Sequence, residues 1–266
     1  MAGTYSTGAD YLYANGTLRN RPGIHDRRKL ATFERAISRY RQTEIERGLV
    51  DIPRTYDAAH LSKIHRHLFG DVYEWAGQQR AVDIFKRGDK RPFAQVERTP
   101  VNHIDRVQAE ATARIGRAPW AQANQAMFGH YMAEAFAWLN YAHPFREGNG
   151  RSTRLFLEHV SERTSFTLDY AQVTPQNWKE RSAATMPPRG SEEPDPQPMA
   201  DLFYSIARPR GRSEAETVAS IRELHRMSFP VAPSPVRTAG SPAGSQQAAR
   251  VQSRAVGTDL KGGLER

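Results

Sequence analysis

Cysteine is absent from all 266 residues, which excludes a disulfide framework, a thiolate metal site and a cysteine nucleophile together. Hydrophobic residues make up only 38% of the chain, low for a protein folded throughout, so one part is expected to lack a core. No run approaches the ~18 consecutive apolar residues of a membrane span. The start, MAGTYSTGADYLYANG, has no basic segment followed by an apolar one, so no secretory leader is expected and the reading is cytoplasmic, with delivery into another cell left open. Acidic side chains are also few: 29 against 38 Lys and Arg, a formal net charge of +9 and a pI near 10.0. That surplus suits phosphate-bearing or acidic partners, whether nucleotide, nucleic acid or protein, although plain solubility would use it too.

What is present reads mainly as helix. After an irregular, Gly- and Asn-punctuated arm, residues 1–25, a helix starts near Asp26 with Leu30, Phe33, Ile37 and Tyr40 at helical spacing, and Gly48 closes it. Asp57 caps a second, carrying Leu61, Ile64, Leu68 and Phe69. AVDIFKRGDKRPFAQ, from Ala81 to Gln95, has β-branched and aromatic residues around a Gly-Asp turn signal and reads as a short hairpin or flap. Thr99-Pro100 and Thr174-Pro175 are cap-plus-proline starts; the helix opened by the first should end at Gly116. The most apolar helix runs from about Pro119, with Trp120, Met127, Phe128, Tyr131, Phe136 and Leu139, and must stop before Pro144. MADLFYSIA, Met199 to Ala207, is a final helix. Those aromatics are expected in a core, and His65, His67, His130 and His159 as packing or solvated residues. After Arg208, Pro, Ala, Gly, Ser and Arg dominate, with one amphipathic turn at Ile221 and Leu224; residues 209–266 read as a basic, disordered tail.

Between two of these helices stands HPFREGNGRSTR, His143 to Arg154. The second helix, expected from about Arg151, offers unpaired N–H groups at its start, where the helix dipole favours an anion. Gly148 and Gly150 allow positive φ and close approach to the main chain, and Asn149 adds a side-chain donor, so GNG can form a phosphate nest. Arg151 and Arg154, three apart, share a face and can reach one polyanion. Glu147 is a hard oxygen ligand suited to Mg2+ between phosphates, and His143 suits a general base near neutral pH. These are the parts that phosphoryl or nucleotidyl transfer requires. No Walker A ending, no strand before the loop and no His-Glu-x-x-His pattern is found.

HPFREGNGRSTR resembles in full the signature of the Fic (Fido) family, His-Pro-Phe-x-Asp/Glu-Gly-Asn-Gly-Arg-x-x-Arg. LSKIHRHLFGDVYEWAGQQR, VDIFKRGDKRPFA and YANGTLRNRPGIHDRRKL are similar to the family's second helix, flap and amino-terminal arm. The resemblance implies an all-α Fic/Fido bundle with a small β-hairpin flap, over residues 26–208. It further implies that His143 deprotonates a hydroxyl on a target protein, which attacks the α-phosphorus of ATP and leaves with AMP attached. By the same resemblance Glu147 holds Mg2+; Gly148, Asn149 and Gly150 form the anion hole; Arg151 contacts the β-phosphate and Arg154 the γ-phosphate. Phe145 anchors the loop, and the flap around Val82, Asp83, Ile84, Phe85 and Lys86 aligns the target by strand-like pairing.

Gly150 stands where the kinase-like Doc branch has lysine, which favours AMP transfer over phosphorylation; phosphocholine transfer is the rarer alternative. Many Fic proteins carry an inhibitory Ser/Thr-x-x-x-Glu-Gly/Asn helix, and no glutamate of this chain has Ser or Thr four residues before it. The resemblance is thus closest to the toxin branch, whose inhibitory helix is a separate small antitoxin, with the ATPase subunits of bacterial type II topoisomerases as candidate targets. A constitutively active enzyme is the other reading. A function dominated by the tail, in DNA binding or delivery, is a rival from another class.

Overall fold

A computed structural model describes residues 5–85, 92–97 and 102–211. The flap tip with Lys86, the Thr99-Pro100 start and the tail from residue 212 on, including Ile221 and Leu224, lie outside the described residues. Seven helices are described: α1 (Arg27–Glu46), α2 (Ala58–Phe69), α3 (His103–Arg117), α4 (Gln125–Ala142), α5 (Asn149–Ser161), α6 (Pro175–Ala184) and α7 (Gln197–Ile206). Their starts follow local chemistry. The side chains of Asp26, Asp57, Asn124 and Thr174 each accept a main-chain N–H of the first turn, as expected of caps. α3 is capped by Asn102, whose carboxamide oxygen accepts from Ile104 N, so it starts beyond Pro100.

α4 is the hub. It packs on α3, α5 and α7, and Phe128, Met132, Ala135, Phe136 and Leu139 are buried along one face of it. Contact with α7 is main chain to side-chain-free surface: a Cβ on Gly129 would lie 2.9 Å from Tyr204 N and 3.0 Å from Ala200 O. Trp120 is buried as expected but belongs to a separate 3-10 turn, Trp120–Gln122. Its indole N–H donates to the Ile115 carbonyl at 2.7 Å, and extended Ala123 (ψ 124°) with the Asn124 cap separates it from α4, with which its sequence pattern is continuous.

α1 departs from its pattern as well. Leu30, Glu34, Ser38 and Ile45 are its buried residues, whereas Tyr40 is 61% exposed. The apolar stripe therefore flanks a polar inward face. The described β-strands are β1 (Phe166–Leu168) and β2 (Ala207–Pro209), antiparallel with Thr167 opposite Arg208; the sequence pattern does not predict this pair. Among the described residues the flap is tied by the bridge of Phe85 to Pro92 and by Phe93 N, which donates to the Ile84 carbonyl at 3.3 Å. Its base sits on a second small core of Phe93, Ala94, Ile104, Val107 and Tyr141.

Candidate active site

The chemistry of the loop begins where α4 ends. Pro144 disfavours helical backbone at the residue before it, and His143 leaves the helix at φ 40° and ψ 58°, in the left-handed region. Its Nδ1 lies 3.4 Å from the Asn140 carbonyl, a contact that favours the Nδ1–H tautomer and reserves Nε2 as the basic nitrogen. Phe93 of the flap stacks on the imidazole at 3.8 Å. Asn140 is fixed in turn by donating to the Ser182 carbonyl (2.8 Å) and Thr185 Oγ1 (3.0 Å).

Phe145 is 1% exposed and stacks on the His65 ring at 3.8 Å, which makes it the anchor of the loop. Asn149 holds the loop shut: its Oδ1 accepts from Phe145 N at 2.9 Å and its Nδ2 donates to the Phe145 carbonyl at 2.7 Å. Its Oδ1 and one of its two Nδ2 hydrogens are thereby engaged inside the turn. Gly148 takes φ +86°, as expected. Gly150 does not take positive φ; it already lies in the first turn of α5, which starts at Asn149 rather than Arg151, and a helical residue there has no reason to leave the α region.

No side chain caps α5. The first intrahelical bond runs from Ser152 N to the Gly148 carbonyl, and the Gly148 amide is taken by Glu147 Oε1 at 3.0 Å. The amides of Asn149, Gly150 and Arg151 thus point out of the helix start, where the dipole favours an anion. Glu147 borders a cavity of about 390 Å³ together with Arg27, Glu34 and Tyr73. One carboxylate opposite an anion nest fits Mg2+, which is commonly held by one or two carboxylates plus substrate phosphates; among the described residues no cluster of three ligands exists that would hold a metal alone.

The two arginines part company. Arg151 donates to Ser38 Oγ at 2.9 Å, pairs with the Glu34 carboxylate and lies over the Phe69 ring at 4.6 Å. Arg154 instead lies over Trp178 at 5.8 Å, and among the described residues no carboxylate is within ion-pair distance of it. Glu34 also accepts from the Tyr73 hydroxyl; burial first, then this carboxylate, hold the Tyr73 phenol well above its usual range.

Sequence reasoning missed three supports of this site. His65, read as a packing residue, is fully buried and does more than pack: Nδ1 accepts from Gly77 N at 2.8 Å, so Nε2–H donates to the Glu147 carbonyl at 2.9 Å. Burial keeps it neutral, with its pKa down to about 4. Arg80, 2% exposed, donates to the carbonyls of His143 (2.9 Å), Val82 (2.8 Å) and Ala94, and its own amide to the Pro144 carbonyl (2.7 Å). Burial pulls its guanidinium down to about 10, against the Asp83 carboxylate. No spacing marks a lone arginine of this kind. The third, Glu34 with Ser38 one turn on, could have been found as a polar i, i+4 pair on a buried face.

Around this geometry stand its likenesses. The Fic/DOC family pattern matches residues 55–161. The chain is 32% identical over 184 residues to the probable protein adenylyltransferase Fic of Salmonella typhimurium, covering 68% of this chain and 86% of that one. It is 36% identical over 166 residues to the protein adenylyltransferase VbhT of Bartonella schoenbuchensis, covering 60% of this chain but only 32% of that relative. The crystal structure of BepC, a VirB-translocated effector of Bartonella tribocorum with bound AMPPNP, superposes with a TM-score of 0.66 at 28% identity, over 75% of this chain and 97% of that one. The Fic domain of a Bartonella quintana effector with bound ADP gives 0.67 at 28%, over 76% and 96%. Loop, anion nest and bundle therefore have one common source: this chain belongs to the Fic/DOC family.

Proposed function

We propose that the chain moves AMP from Mg-ATP to a hydroxyl side chain of a target protein and releases pyrophosphate. The observation that carries this is the juxtaposition of His143, with Nδ1 turned to the Asn140 carbonyl, and three outward amides at the start of α5. Relatives named protein adenylyltransferase, and Fic domains holding AMPPNP and ADP, support it.

In the step so read, the target oxygen bonds to the α-phosphorus and its proton passes to His143 Nε2. The bond from that phosphorus to the bridging oxygen breaks, and pyrophosphate departs with the electron pair. The amides of Asn149, Gly150 and Arg151 face the phosphates, as preorganised donors that need no rearrangement during reaction. Bound Mg2+ would neutralise phosphate charge, and Glu147 is the residue to hold it. Arg151 receives the β-phosphate once Glu34 releases it, and Arg154 the γ-phosphate. Val82, Asp83, Ile84 and Phe85 present the flap; Phe85, 60% exposed, is the apolar contact for a target segment, with Lys86 next in sequence.

An Arg154 without a carboxylate partner among the described residues also favours the toxin reading, in which a separate antitoxin supplies that glutamate. A topoisomerase ATPase subunit is the candidate target. Transfer is tested with α-32P-ATP and Mg2+ in bacterial lysate, comparing wild type with His143→Ala. The reading expects a labelled protein band that the variant loses while still binding Mg-ATP. A variant that labels as well as wild type would overturn the role of His143.

A further inference from the structure

Beside the flap lies a second cavity, of about 440 Å³, that the transfer step does not use. Phe93 and Gln95 of the flap's return segment, His103 and Tyr141 line it on one side, and Arg189 and Glu192 on the other. It adjoins the reaction centre through one ring, because Phe93 is also the ring that stacks on His143. A target segment aligned along the flap would pass its neighbouring side chains over this opening.

The cavity contains a donor with nothing to donate to. His103 is 4% exposed, and its Nε2 is buried without a hydrogen-bond partner. Gln95 N donates to its Nδ1 at 3.3 Å, which places the ring proton on Nε2. A buried donor without an acceptor costs free energy, so an occupant that accepts this proton recovers it. Glu192 Oε2 stands 3.6 Å away, beyond hydrogen-bond reach. Glu192 is itself largely exposed, so it can move outward to admit a group between them.

Donor and acceptor then face each other across one small gap. A carboxamide satisfies both, its carbonyl accepting from His103 and its NH2 donating to Glu192. A carboxylate would meet Glu192 as a like charge, and an aliphatic group would leave His103 unpaired. We propose that this cavity seats an asparagine or glutamine side chain of the target, beside the hydroxyl that is modified. This rests on the reading that the chain acts on another protein, and it names a feature of that protein.

The test needs neither target nor ATP. The full chain, 15N-labelled, is titrated with propionamide, propionate and butanone, three probes of nearly equal shape, and the His103 ring nitrogens are followed by NMR. Propionamide should shift Nε2 saturably and bind about tenfold tighter than the other two. His103→Phe should abolish the binding, read there as loss of the saturable propionamide shift at the Gln95 backbone amide that adjoins the ring. Glu192→Met, which leaves the buried ring in place, should erase the preference for propionamide over butanone. The inference is overturned if propionamide gives no saturable shift, if propionate binds as tightly, or if Glu192→Met keeps the preference. Because the readout is independent of transfer, a failure of AMP transfer with propionamide still bound would refute the activity and leave the amide site standing.

Discussion

At the scale of single residues, the two glycines of the loop have different physical tasks. Gly148 combines φ +86° with a position where a Cβ would meet Phe69 Cε2 at 2.5 Å. Gly148→Ala should therefore destabilise by about 1–3 kcal/mol, a fall in melting temperature of several degrees by calorimetry. A Cβ on Gly150 meets nothing within 4 Å, and its backbone is helical. Gly150→Ala should leave the melting temperature unchanged or raise it slightly, by at most about 1 kcal/mol; a loss as large as that of Gly148→Ala would refute the assignment. Glu34 gives a third expectation. Its carboxylate neutralises Arg151, so Glu34→Gln should tighten Mg-ATP binding about fivefold, near 1 kcal/mol for a partly exposed pair. Titration calorimetry reads this directly, and weaker binding would show that Glu34 orients Arg151 instead of competing for it.

At the scale of elements, Arg80 joins what the sequence separates. One side chain binds the carbonyls of Val82 and Ala94, on the two sides of the flap, and that of His143. Lysine keeps the charge but cannot span these acceptors. Arg80→Lys should cost several kcal/mol, about 1.5–3 for each charged hydrogen bond lost, and should speed hydrogen exchange at the Ala94 amide, now bonded to the Tyr141 carbonyl at 2.9 Å. Unchanged exchange would mean that the flap base holds without Arg80. Such links explain what was legible beforehand. Caps at Asp26, Asp57 and Thr174, and the ordered loop from His143 to Arg154, are local and were read directly. Arg80, the His65 bond to Glu147 and the pairing of β1 with β2 join distant positions through single side chains or three-residue strands, which leave no periodic mark. Trp120 lies outside α4 although its apolar character fits that helix equally well, because the chain is extended at Ala123 and the helix is capped afresh at Asn124.

At the scale of the whole molecule, buried titratable groups set the response to acid. Burial, the largest cause at each, pushes His60, His65 and His159 down to about 4, while the unfolded chain titrates them near 6.5. Between these values the unfolded state takes up protons that the folded state does not, so stability falls as pH falls through that window. Glu158 opposes this: burial, aided by Glu46, raises it to about 7, and from there down to about 4.5 acid favours the folded form. The histidines outnumber it. Urea denaturation should show lower stability at about pH 5 than at pH 7.5, by a few kcal/mol at ~1.4 kcal/mol per unit and group. Glu158→Gln should deepen the loss, and a flat profile would contradict the buried neutral histidines.

The bundle, loop and flap together serve one claim, that a nucleotide lies at the start of α5 with its α-phosphorus facing His143. Parallel labelling with α-32P-ATP and γ-32P-ATP tests it most directly. Label is expected on a protein from the α position alone, with Gly150 leaving the triphosphate in the transfer orientation. Label from the γ position alone would mean that the nucleotide binds reversed and that the chain is a kinase, in contradiction to that account.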